Sequence, residues 1–457
     1  MTPAATLEAL QARLTGRIVT PSDPRWDEAR LAWNLAADQR PAAIAFPQTA
    51  QDIVAAVDAA RDHGLRVAAQ GTGHGGTALS SLEDSLLVKT ENMREIRIDA
   101  GAQRARVEPG VLWHELAPAA AEHGLAGLQG SAGDVAVTGY SLGGGLSWMA
   151  RAQGWAANRI VSADVVTAHG ELVRVDREDH PDLFWALRGG GGAFGVVTSL
   201  EIALLPVREL YAGVLFWPQE RAAEILPAWR DWADDLPDEI TSLGRLLNVP
   251  PFPDVPEIVR GKSFVVVEAA FLGSEADGAE LLAPLRELDP AMDTFAMIPP
   301  PGLVALHMDP PQPVPGEADG AMLGEITDEA IDRVLGVTGP GTETPLLSFE
   351  LRALGGAIGR FDPDGGAANA TDARYAEFSV GIAMTPEMKR AVAERVDAIH
   401  DALADCATGA RYMNFSERSS DCSTMFPPDT YERLREVKRA YDPDDLFQSN
   451  HPVSNPA

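Results

Sequence analysis

Four glycines surround one histidine in the seven residues Gln70-Gly-Thr-Gly-His-Gly-Gly76. Glycine at this density means backbone at positive φ, or backbone pressed against something flat or anionic. An imidazole held in such a loop offers two ring nitrogens, as ligand or as nucleophile. A surface turn that happens to contain His74 is the other reading of these residues alone. Gly71, Gly73 and Gly76 also fit the spacing G-x-G-x-x-G, but that fingerprint requires a helix to follow, so that a pyrophosphate can sit at its N-terminus. The residues after it, Thr77 to Val88, lack a helical stripe and end like a strand, so a dinucleotide fold of that kind is excluded. A second glycine-rich loop runs from Gly130 to Leu146. Its polar side chains, Ser131, Thr138 and Ser141 among them, are small, which leaves the backbone N–H groups around Gly139, Leu142, Gly143, Gly144 and Gly145 as the functional groups. A nest of that kind suits a pyrophosphate; a tight β-arch is the alternative. Two such loops so close in sequence favour one large, flat cofactor.

The elements that must hold these loops can be read from periodicity. Ala42–Phe46 reads as a strand stopped by Pro47, and Thr49 as the cap of a helix with apolar positions at Ile53, Val54, Val57 and Ala60. That helix stops at His63-Gly64, and Leu65–Ala69 is the strand that delivers His74. Strands follow near 85–89, 95–98 and 105–108, then a helix over 111–123 and a hairpin turning at Ala168-His-Gly170. A short helix or turn at 181–187 leads into a strand from Val196. Residues 1–35 read as helical around a turn at Pro21-Ser-Asp-Pro24, with Trp26 and Trp33 as packing anchors. After Pro206 the pattern changes to amphipathic helices (219–233, 274–288, 386–404) alternating with period-two strands (263–272, 346–354, 376–384), as in an α+β domain with an antiparallel sheet. A proline-rich connector over 298–315 reads as a surface loop, and 431–441 as a basic helix.

With 457 residues, two or three domains and a substantial core are expected. A formal net charge of −30 argues against nucleic acid or an anionic membrane surface as partner. No apolar run approaches a membrane span and no signal pattern opens the chain, so a cytoplasmic protein is expected. Two cysteines, Cys406 and Cys422, predict neither a disulfide framework nor a cysteine-based metal site.

Taken in order, several segments together carry a resemblance. They are the Gly-x-Gly-His loop, Leu142-Gly-Gly-Gly145, Ser162-Ala-Asp-Val-Val-Thr-Ala-x-Gly170, the run from Asp182 to Thr198, and the ending Tyr441-Asp-Pro-Asp-Asp-Leu-Phe-x-x-Asn450. The chain resembles the FAD-linked oxidoreductases of the vanillyl-alcohol oxidase type, with a PCMH-type FAD-binding domain, in the bacterial berberine-bridge-enzyme-like branch. The resemblance implies a two-lobed FAD domain (1–205, core about 37–207) completed by a C-terminal segment (410–457), and a substrate domain (206–409) roofing the flavin. It implies that Gly71, Thr72, Gly73, Gly75 and Gly76 cradle the cofactor with the second loop, that Val197 lies near the adenine and that Asn450 lies near the flavin. His74 occupies the position of covalent flavin attachment. Relatives with a second, cysteinyl link carry a cysteine where this chain has Ala132, so attachment through His74 alone is expected. Val135 falls at a gatekeeper position where valine accompanies reactivity with oxygen.

The same resemblance directs attention to catalysis. Relatives often take a base from Tyr-x-Asn-Tyr; here the motif is Tyr412-Met-Asn-Phe415, and a phenyl ring accepts no proton. A second catalytic position, three residues before a Gly-Gly pair, falls on Arg352. Strand alternation puts Ser348, Glu350 and Arg352 on one face. Arginine is a poor base but a good anchor, which makes Glu350 the first candidate for the base, with an Arg–Glu pair that only stabilises the sheet as the alternative. Tyr140 and Tyr412 are further candidates, while His114, His123 and His180 read as surface residues. The expected function is an FAD-dependent oxidase that moves a hydride from an alcohol, sugar or secondary metabolite to flavin N5, with O2 as acceptor and a monomer or homodimer as the working state. A dehydrogenase with another acceptor, or a flavin-binding protein without catalysis, are the alternatives.

Overall fold

A computed structural model describes residues 10–79, 82–253, 257–310 and 312–454. Three sheets organise them. The first has the order Arg17–Val19, Ala43–Phe46, Ser85–Lys89, Arg66–Gln70 and Phe447–Gln448. Its central strands pair in parallel, and Ala43–Phe46 and Ser85–Lys89 are buried along their length, which is why they read as apolar runs rather than as alternation. The crossover between the first two parallel strands is the helix Ala50–Asp62, capped by the Thr49 side chain accepting from the Asp52 amide and packed on the sheet through Ile53, Val57 and Ala60.

The edge strand of this sheet comes from the far end of the chain. Phe447–Gln448 pairs parallel with Val67 and Ala68. The helix Pro428–Tyr441 fixes it through Lys438, a buried ammonium 2.5 Å from Asp442 Oδ2 that also donates to the carbonyls of Ala193 (2.9 Å) and Phe447 (3.2 Å). Burying a lysine is tolerated here because each donor direction is used.

The second sheet is antiparallel, in the order Ile96–Asp99, Arg104–Val107, Val196–Ala203, Ile160–Val166 and Leu172–Val175. The third is an eight-stranded antiparallel sheet built from residues 210–382. One of its faces is apolar, with Leu246, Phe349 and Leu351 packed with Trp217, Trp229 and Tyr375 and the helices Ala222–Asp234, Glu275–Arg286, Asp328–Thr338 and Pro386–Ala402. Alternation then turns Arg245, Glu350 and Arg352 to the opposite face. The whole is a mixed α/β fold in which this face of the large sheet lies over the glycine loops of the other two.

Some expectations need correction. Of the predicted N-terminal helical region, residues 1–9 lie outside the described residues; Leu10 and Gln11 are helical, and the chain then forms a strand at Arg17–Val19 and a short helix at Trp26–Ala29. Two prolines before Trp26 and a β-paired Arg17-Ile-Val19 leave no room for a longer one. The loop 130–146 contains a helical turn and a half, Val137–Leu142. The proline-rich connector is not simply a surface loop. Pro300–Ala305 is a 3-10 helix whose Leu303 is buried with Trp148 and Leu243, and the Gln129 amide donates to the Pro300 carbonyl (2.7 Å). His114, His123 and His180 are exposed, as expected.

Candidate active site

A cavity of about 800 Å³ runs from the His74 loop to the inner face of the large sheet. Gly71, Thr72, Gly73, His74, Gly75 and Gly76 line one end. Gly73 adopts φ +85°, and a Cβ there would meet Ala32 and the Gln70 amide at 2.8 Å. The loop is therefore closed to side chains and presents backbone to the cavity.

His74 is held on three sides. Its ring stacks on Trp33 at 4.0 Å with 15° between planes; Thr72 Oγ1 lies 2.8 Å from Nδ1, and Asp134 Oδ1 lies 3.4 Å from Nε2. The Trp33 indole N–H donates to the other carboxylate oxygen of Asp134 at 2.6 Å. Burial works against ionisation of Asp134, but His74 and Trp33 outweigh it and hold its pKa below the ordinary carboxylate value. Trp33 is thus part of the His74 setting rather than a distant packing anchor.

Ser131, Ala132, Val135, Thr138, Gly139, Tyr140, Leu142 and Gly143 line the second wall, and Val197 and Asn450 close it. Gly144 and Gly145 do not reach the cavity; they sit behind it, against Tyr412 and Tyr140. The Asn450 side chain donates to the Gly75 carbonyl (2.8 Å), which ties the C-terminal segment to the His74 loop. Several buried polar atoms along this wall have no protein partner, among them Gln70 Nε2, Thr138 Oγ1 and the Tyr140 hydroxyl. Unsatisfied groups at this density in a glycine-lined cleft fit a large polar cofactor.

The roof is the large sheet. Ser348, Glu350 and Arg352 all line the cavity, joined by Tyr412 and Phe415 from the C-terminal segment. Arg352 Nε donates to Glu350 Oε1 (2.8 Å), its Nη2 reaches Ser131 Oγ (3.4 Å), and its guanidinium lies 5.0 Å over the Phe415 ring. Sequence reasoning missed the partners that complete this group. Glu350 Oε2 lies 2.9 Å from His307 Nε2, Glu268 Oε2 lies 2.7 Å from His307 Nδ1, and Arg245 donates to Glu268 Oε1 at 2.9 Å. Arg245, Glu268 and Glu350 are 3%, 0% and 1% exposed, so the charges face one another rather than water. Burial alone would lower the His307 pKa, and Arg245 adds to that, yet Glu268 and Glu350 overcome both and raise it to about 9. Glu350 shows the reverse: burial opposes its charge, but Arg352 and His307 hold its pKa far below the usual range. Such a carboxylate is a weak base at neutral pH.

Tyr412 accepts from the Asn414 side chain (3.1 Å) and from backbone amides of Gly145 and Leu146, and burial drives its pKa up. Burial likewise puts the Tyr140 pKa well above its usual value. Burial thus holds the proton on both phenols. Glu417, also missed from sequence, faces the cavity beside Thr77 and Asn34; burial raises its pKa to about 7. Neither buried free cysteine, Cys406 or Cys422, lines the cavity. Among the described residues no His, Cys, Asp and Glu cluster suits a metal, and no helix is long and apolar enough to cross a membrane.

Residues 41–176 match the FAD binding domain family and residues 411–454 the family described as berberine and berberine like. An uncharacterized FAD-linked oxidoreductase of Bacillus subtilis, YgaK, is 28% identical over 96% of both chains. (R)-6-hydroxynicotine oxidase of Paenarthrobacter nicotinovorans is 27% identical over 96% of this chain and 97% of its own length. Among solved structures, 6-hydroxy-D-nicotine oxidase from Arthrobacter nicotinovorans superposes with a TM-score of 0.84 at 25% identity, covering 97% of this chain and 98% of that one. The BBE-like 1 protein of Physcomitrella patens, at 19% identity and a TM-score of 0.87 over 99% of both chains, shares the fold. The chain thus carries an FAD binding domain and a berberine-like C-terminal segment, and over its full length it is similar to FAD-linked oxidoreductases and shares the fold of the berberine-bridge-enzyme-like proteins.

Proposed function

We propose that this protein is an FAD-dependent oxidase of a small or medium-sized organic substrate, with O2 as the acceptor and FAD linked through His74 alone. The observation that carries this reading is one continuous cavity with the His74 loop at one end and the Glu350–Arg352 face at the other. In this division residues 1–205 with 410–457 hold the cofactor, and 206–409 supply the substrate wall. Gly71 to Gly76, Ser131, Thr138, Gly139, Leu142 and Gly143 form the cradle, backed by Gly144 and Gly145, with Val197 and Asn450 at its margins.

When bound, FAD supplies the hydride acceptor. The chain's own residues do the rest. Asp134 orients His74 by holding Nε2, as carboxylates orient functional imidazoles elsewhere. Ala132 and the distance of both cysteines from the cavity wall support a single attachment point. Tyr412, with its oxygen already accepting hydrogen bonds, has its proton left to donate to a substrate oxygen or nitrogen, and Tyr140 donates from the cradle side. Glu350 acts as the fixed anion that orients Arg352 and His307, so a substrate proton has to go to a group other than Glu350. Phe415 and Ser348 shape the pocket, and Val135 sits in the wall at the gatekeeper position.

The test is a spectrum of the purified protein before and after acid precipitation, with and without His74→Ala. Flavin retained in the pellet of the wild type and released from the variant supports the single link. Flavin released from both keeps the cofactor and removes the link; a protein that neither carries nor takes up FAD overturns the reading. Mixing reduced protein with O2 or with a dye, in wild type and Val135→Leu, then separates oxidase from dehydrogenase.

A further inference from the structure

The charges over the cavity form an alternating row, Arg245, Glu268, His307, Glu350, Arg352, positive at both ends. Each interior member is shared between two neighbours of opposite sign. At the Arg245 end Nη1 is engaged by Glu268, by His307 Nδ1 (2.9 Å) and by the His307 carbonyl (2.8 Å), while the buried Nε has no partner among the described residues. The Arg352 end is open. Glu350 engages only its Nε, Nη2 has only the long contact with Ser131, and Nη1 has no hydrogen-bond partner among the described residues. With His307 protonated the row carries one more positive than negative charge. Asp309, a third exposed, approaches His307 at 3.9 Å and also acts on Arg352, and Glu417 is committed to Thr77 and Asn34, so it is the open Nη1 and Nη2 of Arg352 rather than net charge that mark this end for an anion. The Ser348 hydroxyl, 3% exposed and without a partner, lies four residues before Arg352 on the same face.

Away from Arg352 the lining changes character. Leu247, Val249, Phe252, Phe378, Val380 and Ile382 form the wall toward the opening, and Phe252 is left half exposed. Burying hydroxyl-rich surface against such a wall would leave polar groups unpaired.

Building on the oxidase reading above, we infer that the substrate is a carboxylic acid with an apolar or aromatic body, its carboxylate seated on the two terminal nitrogens of Arg352 beside Ser131. A guanidinium fork matches a carboxylate in geometry as well as in charge. A sugar is disfavoured by the wall and a cationic amine by the open arginine.

The experiment titrates the purified holoprotein with 2-naphthoate, 2-naphthamide and 2-naphthylmethylammonium, which share a body and differ in head charge. Binding is read twice, by perturbation of the flavin spectrum and by the shift in unfolding temperature from tryptophan emission. The naphthoate is expected to bind roughly tenfold or more tighter than the amide, the ammonium weakest, with the preference lost in Arg352→Met and partly kept in Arg352→Lys. An amide that binds as tightly as the naphthoate in wild type overturns the inference without recourse to any variant. So does a preference that survives in Arg352→Met. If Arg352 instead serves the bound flavin, Arg352→Met weakens sulfite addition to the flavin while the three probes remain undiscriminated, which also overturns it. A protein without flavin sinks the oxidase reading, and the unfolding-temperature titration still decides the carboxylate preference.

Discussion

Replacing His307 with glutamine should change how stability depends on pH. In the native protein the imidazole lies between Glu268 and Glu350 and holds its proton to about pH 9, against 6.5 when free of them. A histidine whose pKa is raised on folding contributes stability that is fully present below 6.5 and is lost as pH rises through 9. At 1.36 kcal/mol per pKa unit that contribution is about 3 kcal/mol. Residues 206–409 are of a size at which this corresponds to roughly 6–12 °C in midpoint temperature. His307→Gln removes the titration and leaves two buried carboxylates without the charge between them, so the variant should be less stable than wild type at pH 6.5. The gap should then shrink by about 3 kcal/mol by pH 9.5. Thermal unfolding of both proteins, followed by tryptophan emission across that range, measures it. Parallel curves, with the same gap at pH 6.5 and 9.5, would refute a charged His307.

Other perturbations are equally specific. Glu417 holds its proton to about pH 7 against 4.5 when unfolded, so it opposes folding increasingly as pH rises through that window; Glu417→Gln should be more stable relative to wild type at pH 8 than at pH 5, by chemical denaturation. Gly143→Ala would put a Cβ 1.9 Å from the Asn414 side-chain oxygen, and Asn414 cannot swing away without losing Tyr140 and Tyr412; flavin content on purification should fall sharply. Asp134→Asn should leave bound flavin but slow or reduce its acid-stable fraction, scored from the precipitated pellet. Phe415→Ala strips the ring beneath the Arg352 guanidinium and should weaken 2-naphthoate binding by roughly two- to fivefold, in line with a cation–π contact of about 0.5–1 kcal/mol.

Much of the frame around the site was legible from sequence because its signals are local. Thr49 and Gly64 bracket a helix whatever lies around it, and glycines at forbidden dihedrals announce a cradle. Alternation alone put Ser348, Glu350 and Arg352 on one face, which the cavity lining bears out. What escaped depends on distant partners. Trp33 looks like any packing tryptophan until Asp134, 101 residues away, meets its indole nitrogen. His307 lies in a stretch so rich in proline that it reads as solvated, and only the burial of Leu303 and Pro300 pulls it inward. The strand Gly316–Leu323 has the composition of a turn; Glu317 and Asp319 are tolerated because Arg418 and Arg411 meet them.

The parallel sheet that delivers His74 is closed by a strand made last. Ser85 Oγ donates to Gln448 across 363 residues of chain. At ordinary ribosomal rates roughly 20–70 s separate the synthesis of these two partners. During that interval Arg66–Gln70 is an open edge of unpaired amides and carbonyls, the kind of edge that recruits foreign strands. Asn450 reaches the Gly75 carbonyl only after a comparable delay, and Lys438 reaches that of Ala193 across 245 residues. The nascent chain therefore carries the His74 loop well before the strand that closes the sheet beneath it, and a chaperone has that interval in which to cover the open edge.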